Sequence, residues 1–260
     1  MASGRTDLYL LGYGVGDQLQ LTVQASRVLA RVGRAYALGL PPNLAAYLRS
    51  IRVDAIDLLA RTPETQDATT TYLAIAEAVL QEVADDPPVA VITPGIPFLS
   101  NTVARFLVTK AKERGISVQA LPAVSPLDVL ITTTGLDVGT FGLQVFDARR
   151  LVTGRHRPDR GVPVVVLQVA ALADGTSIRP APPSETALER LRDVLTATYP
   201  ADHAVVHLVV SEATSAQSVS RVPLRGLAGL APAIRADSML FLDLVRNTSA
   251  DQGVQGGREG

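Results

Sequence analysis

The chain has 260 residues, 24 basic against 25 acidic side chains, and no cysteine. That length suits one large domain or two of about 100–150 residues each; the missing cysteines exclude disulfides, thiolate zinc sites, iron–sulfur clusters and cysteine nucleophiles. A net charge of −1 gives no electrostatic reason to expect nucleic acid or an anionic membrane as a partner.

Three histidines leave little scope for a metal site, so none is expected. No apolar run approaches the roughly 20 residues needed to span a bilayer. The opening residues lack the apolar core of a signal peptide, and a cytoplasmic protein is expected.

In chain order, Asp7-Leu-Tyr-Leu-Leu-Gly reads as a buried strand ending at a glycine. Gln18 to Val32 places Leu21, Ala25, Val28, Leu29 and Val32 at helical spacing. Arg34 to Leu38 is a second strand, and Pro41-Pro42 opens a helix. Val53 to Leu58 is a third strand, interrupted by two aspartates, and Thr65 to Ala84 is a helix. Pro88 to Thr93 is a fourth strand, Leu99 to Arg114 a helix stopped by Gly115, and Ser117 to Leu121 a fifth strand. This β-α-β-α order predicts a mostly parallel sheet with helices on both faces.

Near Pro122 the rhythm changes. A short helix, Ser125 to Thr134, closes at Gly135. Apolar runs then follow at Gly142–Phe146, Pro163–Val169, His203–Val210, Val219–Leu224 and Ser238–Leu242, with one clear helix, Ser184 to Thr198. The predicted organisation is α/β: an N-terminal α/β domain over 1–122, a C-terminal mixed-sheet domain over 123–245, and a Gly-rich disordered tail over 246–260.

Three loops carry the chemistry. Gly12-Tyr-Gly-Val-Gly16-Asp17 directly follows the first strand, where glycines allow a sharp turn and a close approach. Thr93-Pro-Gly-Ile-Pro-Phe98 follows the fourth strand, and Pro122-Ala-Val-Ser125 the fifth. Parallel strands deliver all three loops to one sheet edge, where open α/β sheets bind ligands. A dinucleotide site is disfavoured. The glycine spacing is G-x-G-x-G-D rather than G-x-G-x-x-G, and no Asp or Glu lies between Gln18 and Arg52 to hold ribose hydroxyls.

Gly12–Asp17 followed by Leu21-Thr22, Pro94-Gly-Ile-Pro97, and the stretch Lys110–Ser125 resemble the tetrapyrrole methylase superfamily of S-adenosylmethionine-dependent methyltransferases. Within it, Gly135–Ala148, Leu167-Gln-Val169, Tyr199–His203 and Val222–Leu227 are most similar to the peptide backbone N-methyltransferases of borosin biosynthesis. The resemblance covers residues 7–243 in order. It implies two α/β domains with S-adenosylmethionine in the cleft between them, and a homodimer. The tail from Asn247 has one valine and several charges rather than a run of small apolar residues, so a precursor peptide is expected as a separate chain. The cofactor contacts the resemblance implies are Gly12, Tyr13, Gly14, Gly16, Pro94, Gly95, Ile96, Pro97, Phe98, Ala123, Ser125, Gln168, Val169 and Ala170, with Ser238, Met239 and Leu240 as a last segment. It also implies catalytic roles for Tyr72, in the Thr71-Tyr72 pair, and for Arg61.

The chain departs from the borosin pattern at several points. The family's earlier tyrosine falls at about Thr62, and Arg61 is out of register with the family arginine. Ile96 stands at the polar position of the G-D/H-P loop, and Phe98 replaces a frequent glycine. The alternatives are therefore another acceptor (a tetrapyrrole, an RNA ribose or a modified amino acid) or a catalytically silent binding partner of an active relative.

Weaker features remain. His203 and His207 are read as surface or packing histidines. Arg149, Arg150, Arg155, Arg157 and Arg160, with His156, form a basic loop, either solvated or docking an acidic leader peptide.

Overall fold

Strand β1 (Leu8–Gly12) is buried at four of its five positions and lies between β4 (Val89–Thr93) and β5 (Val118–Leu121), parallel to both. Two further strands, β2 (Arg34–Ala37) and β3 (Ala55–Asp57), extend the sheet beyond β4. The order is β3-β2-β4-β1-β5 and every pairing is parallel. The computed structural model describes residues 5–15, 20–32, 34–62, 67–173, 181–210 and 218–245.

Alternation along these strands builds two cores, one per face. Leu8, Leu10, Tyr36, Val89 and Val91 pack with α4 (Ala68–Asp85) and α5 (Thr102–Glu113), through Ile75, Val79, Leu80, Ala104 and Leu107. Leu11, Ala35, Ala37, Ala90 and Ile92 face the other way, onto Leu29 of α1 (Val23–Leu29) and Leu44 and Leu48 of α2 (Pro42–Ser50). The helices start where polar side chains satisfy their free amides. Thr22 accepts from Ala25 N, Asp67 from Thr69 N and Thr70 N, and Asn101 from Ala104 N.

The expected strand Val53–Leu58 is cut short. Asp57 turns its carboxylate onto the amides of Leu59 and Ala60 and starts α3 (Leu58–Arg61), a one-turn helix the apolar pattern does not predict.

The described residues through Gly135, with Val209, Val210 and Ser218, form the first unit; Leu136–Ala173, Ala181–Leu208 and the residues from Val219 form the second. Helix α6 (Pro126–Thr134) thus belongs with the first unit, beyond the boundary expected near residue 122. The reason is local: Pro126 opens α6 against the loop at Gly95, and Leu130 is fully buried.

The second unit is built on a second sheet, β6 (Gln144–Asp147), β7 (Val164–Leu167), β10 (Ser238–Leu242), β8 (Ala204–Val209) and β9 (Ser218–Pro223), in that order, with only Val209 and Ser218 at the strand ends counted in the first unit. β6 runs parallel to β7 and β7 antiparallel to β10, so the sheet is mixed. Its core joins Val164, Val166, Val205, Leu240 and Leu242 to Leu188, Leu191 and Leu195 of α9 (Glu185–Thr196). The helical content exceeds expectation. The short helices α7 (Val138–Phe141) and α8 (Ala148–Val152) are started by the carboxylates of Asp137 and Asp147. A 3-10 stretch, Leu224–Ala233, packs Leu224, Leu227 and Leu230 into the same core. Among the described residues, no helix is long and apolar enough to cross a membrane. The expected tail, 246–260, lies outside the described residues.

Candidate functional site

The C-terminal edge of the parallel sheet gathers the three loops. The amide of Tyr13 donates to Thr93 O at 3.0 Å, and that of Gly95 to Gly14 O at 2.8 Å, so Gly14 and Gly95 form an isolated antiparallel bridge. Gly12 needs to be glycine because the Gly95 carbonyl occupies the place of its side chain, with the Ala123 methyl 2.6 Å from the same point. All three loops therefore meet at Gly12. Gly14 has φ +86°, and the Gln20 side chain fills the space beside it while Gln20 Oε1 accepts from Val15 N at 2.6 Å. Both glycines are required by protein packing, rather than kept open for a ligand.

The loops differ in what they present. Gly95 and Pro97 are buried, Ile96 is half-buried, and Pro94 and Phe98 are exposed. Phe98 is 52% exposed, an apolar ring held at the site's rim. Ser125 is buried and its side chain is committed to starting α6. Its hydroxyl donates to Asp128 Oδ2 at 2.6 Å, and Asp128 Oδ2 also accepts from Ser125 N at 2.7 Å, a reciprocal cap. The Tyr13 ring packs in the core beneath, and burial together with Asp57 pushes its phenol up to about 12.

Thr93 closes β4 at the centre of this edge. It is fully buried, and its Oγ1 has no hydrogen-bond partner among the described residues. A buried polar atom without a partner costs about 1–3 kcal/mol. It is a polar group on this edge that the described residues leave unsatisfied. Sequence reasoning missed it, although a threonine ending an otherwise aliphatic strand is a visible signal. Gln20 and Asp57 were also missed. Asp57 holds the edge beside β2 by accepting from Leu40 N at 3.2 Å.

Of the expected cofactor residues, Gly16 lies outside the described residues; Thr22 is the residue that caps α1. In the second unit, Gln168 follows β7 with a left-handed backbone, φ 59°, and leads into the 3-10 turn Val169–Leu172 that buries Val169 and Ala170. Ser238, Met239 and Leu240 begin β10, each at most 4% exposed. Ser238 Oγ is engaged with His207 Nε2 at 2.9 Å and accepts from Arg235 N at 2.9 Å. His207 is buried, whereas His203 sits before β8 with Nε2 2.9 Å from Asp243 O.

Of the two expected catalytic residues, Tyr72 lies on the face packed by α4. Tyr72 is half-buried on the second turn of α4 and packs against that core. Thr71 beside it is buried. Arg61 ends α3 and is exposed; residues 63–66, between the two, lie outside the described residues. Thr62, at the family tyrosine position, is extended and ends α3.

Among curated proteins, the chain is 24% identical over 204 residues to a methyltransferase/ribosomally synthesized type III borosin cyclic peptide precursor of Anomoporia bombycina. It is 23% identical over 206 residues to a methyltransferase/gymnopeptides precursor of Gymnopus fusipes. Each match covers 78% of this chain, but the chain spans only 24% and 48% of those relatives' own lengths. Among solved structures, uroporphyrin-III-C-methyltransferase from Thermus thermophilus superposes with TM-score 0.65 at 17% identity, covering 91% of each chain. A second structure of that enzyme, complexed with S-adenyl homocysteine, gives 0.60 at 17% identity over 92% of this chain and 97% of its own. Diphthine synthase gives 0.61 at 16% identity, over 91% of this chain and 89% of its own. The model of the tetrapyrrole (corrin/porphyrin) methylases matches residues 7–228, which take in the first sheet, all three edge loops and every strand of the second sheet except β10, and the chain belongs to that family.

Proposed function

We propose that the protein is an S-adenosylmethionine-dependent methyltransferase whose acceptor is a backbone amide of a separate peptide chain, and that it works as a homodimer in the cytoplasm. The observation that carries the cofactor assignment is the edge where the loops after β1, β4 and β5 converge on Gly12, with the unpartnered Thr93 hydroxyl at the end of β4. Family membership supports it, as does the neighbour structure bound to S-adenyl homocysteine. When bound, the cofactor supplies an electrophilic methyl group on its sulfonium.

The chain's own residues have two tasks. The main chain of Gly12–Gly14, Pro94–Phe98 and Ala123–Ser125 holds the ligand in a fixed pose, because its loops are already tied to one another. Such positioning can supply most of the rate enhancement. The acceptor needs more help, since resonance ties up an amide nitrogen's lone pair. Tyr72 is assigned to take or polarise the amide proton, and Arg61 to stabilise the oxygen of the resulting anion. The borosin relatives support a peptide acceptor.

Titration calorimetry with S-adenosylmethionine, S-adenosylhomocysteine and NAD tests the cofactor; binding of NAD alone would end the reading. Mass spectrometry of a peptide encoded beside this gene, incubated with cofactor and protein, tests the acceptor by a 14 Da shift. Light scattering tests the dimer against a 27.4 kDa monomer. The silent-partner reading has one observation in its favour, Thr62 at the tyrosine position. It replaces ours if the protein binds cofactor and methylates no peptide, tetrapyrrole or RNA offered.

A further inference from the structure

Strand β6 is the outermost strand of the second sheet and pairs with β7 on one side. The Gln144 amide donates to Pro163 O at 2.9 Å, so Gln144 and Phe146 turn their main-chain groups inward to β7. The alternation of a parallel ladder then turns the amide and carbonyl of Val145 outward, to the free edge. The Val145 side chain is 37% exposed, and Phe141, just before the strand, is 42% exposed. An edge with open main-chain groups and exposed apolar side chains is a template for another strand.

The surroundings of this edge are basic. Residues 147–160 hold five arginines against two aspartates. All five arginines, and His156, are exposed, and none pairs with a carboxylate among the described residues. Both aspartates are occupied by main-chain amides: Asp147 accepts from Arg149 N and Asp159 from Gly161 N. Two contacts lay the arginine loop alongside β6. The His156 ring stacks on Phe146 at 5.6 Å, and the Gln144 side chain donates to Asp159 O and accepts from Asp159 N. The loop thus carries unneutralised guanidinium groups along an open strand edge in a protein whose net charge is −1.

We infer that this edge docks an acidic, extended peptide segment, which adds as a strand beside Val145 and sets its carboxylates on Arg150, Arg155 and Arg157. Guanidinium forks suit carboxylates, and main-chain pairing at the edge requires a polypeptide rather than a nucleic acid. In so far as the segment is part of the methyl acceptor, the inference rests on the peptide-substrate reading above.

Fluorescence anisotropy with a labelled ten-residue peptide of alternating Glu and Val tests it, with a Lys/Val peptide and a uridine decamer as controls. The Glu/Val peptide is expected to bind and to weaken as salt rises. Arg150→Glu/Arg155→Glu/Arg157→Glu should weaken it about tenfold or more. Val145→Pro, which removes an outward donor without touching the β7 ladder, should weaken it separately. S-adenosylhomocysteine binding, measured on the same variants, should not change. Equal binding of the Lys/Val peptide, or insensitivity to either variant, overturns the inference. So does uridine decamer binding that the triple variant abolishes, or a dimer that the triple variant splits. Peptide binding without S-adenosylhomocysteine binding would keep the docking edge and overturn the methyltransferase reading instead.

Discussion

The carbonyl oxygen of Gly95 fills the space where a side chain on Gly12 would begin. That contact is backbone against backbone, so neither side can rotate away. Gly12→Ala is expected to force the β1 and β4 loops apart. Overpacking of this kind costs about 1–3 kcal/mol, several degrees in melting temperature for a chain of this size. Cofactor binding should be lost as well. Gly115→Ala is the control: its φ is +70° but no atom lies within 4 Å of the new methyl group. It should lower the melting temperature while leaving calorimetric binding intact. An unchanged melt for Gly12→Ala would show that the loops are not held as described.

Thr93→Val makes the sharper test, because stability and binding should move in opposite directions. The hydroxyl is buried and unpartnered, so removing it relieves a desolvation cost. The ligand-free protein should gain up to about 1 kcal/mol in denaturant unfolding. If a ligand group bonds to Thr93, the variant should bind S-adenosylhomocysteine about tenfold more weakly, the worth of one neutral hydrogen bond. Weaker binding together with a loss of stability would make Thr93 a packing residue only.

The parallel sheet was legible because period-two alternation and turn glycines are local signals. Leu8 and Leu10 part from Leu11 in the sequence as they do in the two cores. The three edge loops followed from strand direction alone. What stayed hidden depends on partners distant in the chain. The missing hydrogen-bond partner of the Thr93 hydroxyl and the fill of Gly12 by Gly95 are tertiary facts, and so is the packing of Pro126 that keeps α6 with the first unit. The short helices α3, α7 and α8 escaped for another reason. Each is four or five residues long, too short for a helical period, and is started by one aspartate that reads equally well as a loop residue.

His207 should make stability depend on pH. Burial holds its imidazole below the ordinary histidine value, partly offset by the nearby Asp237 carboxylate. The folded state therefore binds the proton less readily than the unfolded state, whose value is about 6.5. Stability from this group is fully present above that value and is lost as pH falls through the lower, folded-state value. His207→Gln should flatten the denaturant midpoint against pH below about 6.5. A profile unchanged by the substitution would assign the acid sensitivity to other groups.

Asp67 starts the helix that carries Tyr72. Its carboxylate accepts from Thr69 N, Thr70 N and the Thr70 hydroxyl, and these bonds hold it below the usual carboxylate value. Asp67→Ala removes the cap and should lower the melting temperature, with Asp67→Ser restoring most of the loss. If Tyr72 acts on the acceptor, fraying this first turn should lower kcat in Asp67→Ala more than it raises KM. Equal loss of stability in both variants would remove the cap from the account.

Tyr72→Phe and Arg61→Gln decide whether methyl transfer runs through the residues that remain. A backbone amide reacts only if its proton is taken or its anion stabilised, and losing one such group costs about 10²–10⁴ in rate. The family tyrosine falls at about Thr62 in this chain, so under the proposed function Tyr72 is left to carry that task alone. Tyr72→Phe should therefore abolish the 14 Da shift in a peptide substrate while binding S-adenosylhomocysteine as tightly as wild type. Arg61 is exposed at the end of α3, and its charge is more easily replaced by water. Arg61→Gln should slow transfer less than Tyr72→Phe does. Thr62→Tyr offers the converse test, since returning a phenol to that position should speed transfer if the pair works as a unit. Wild-type rates in Tyr72→Phe would remove it from catalysis and favour an acceptor that needs no base, such as a carboxylate.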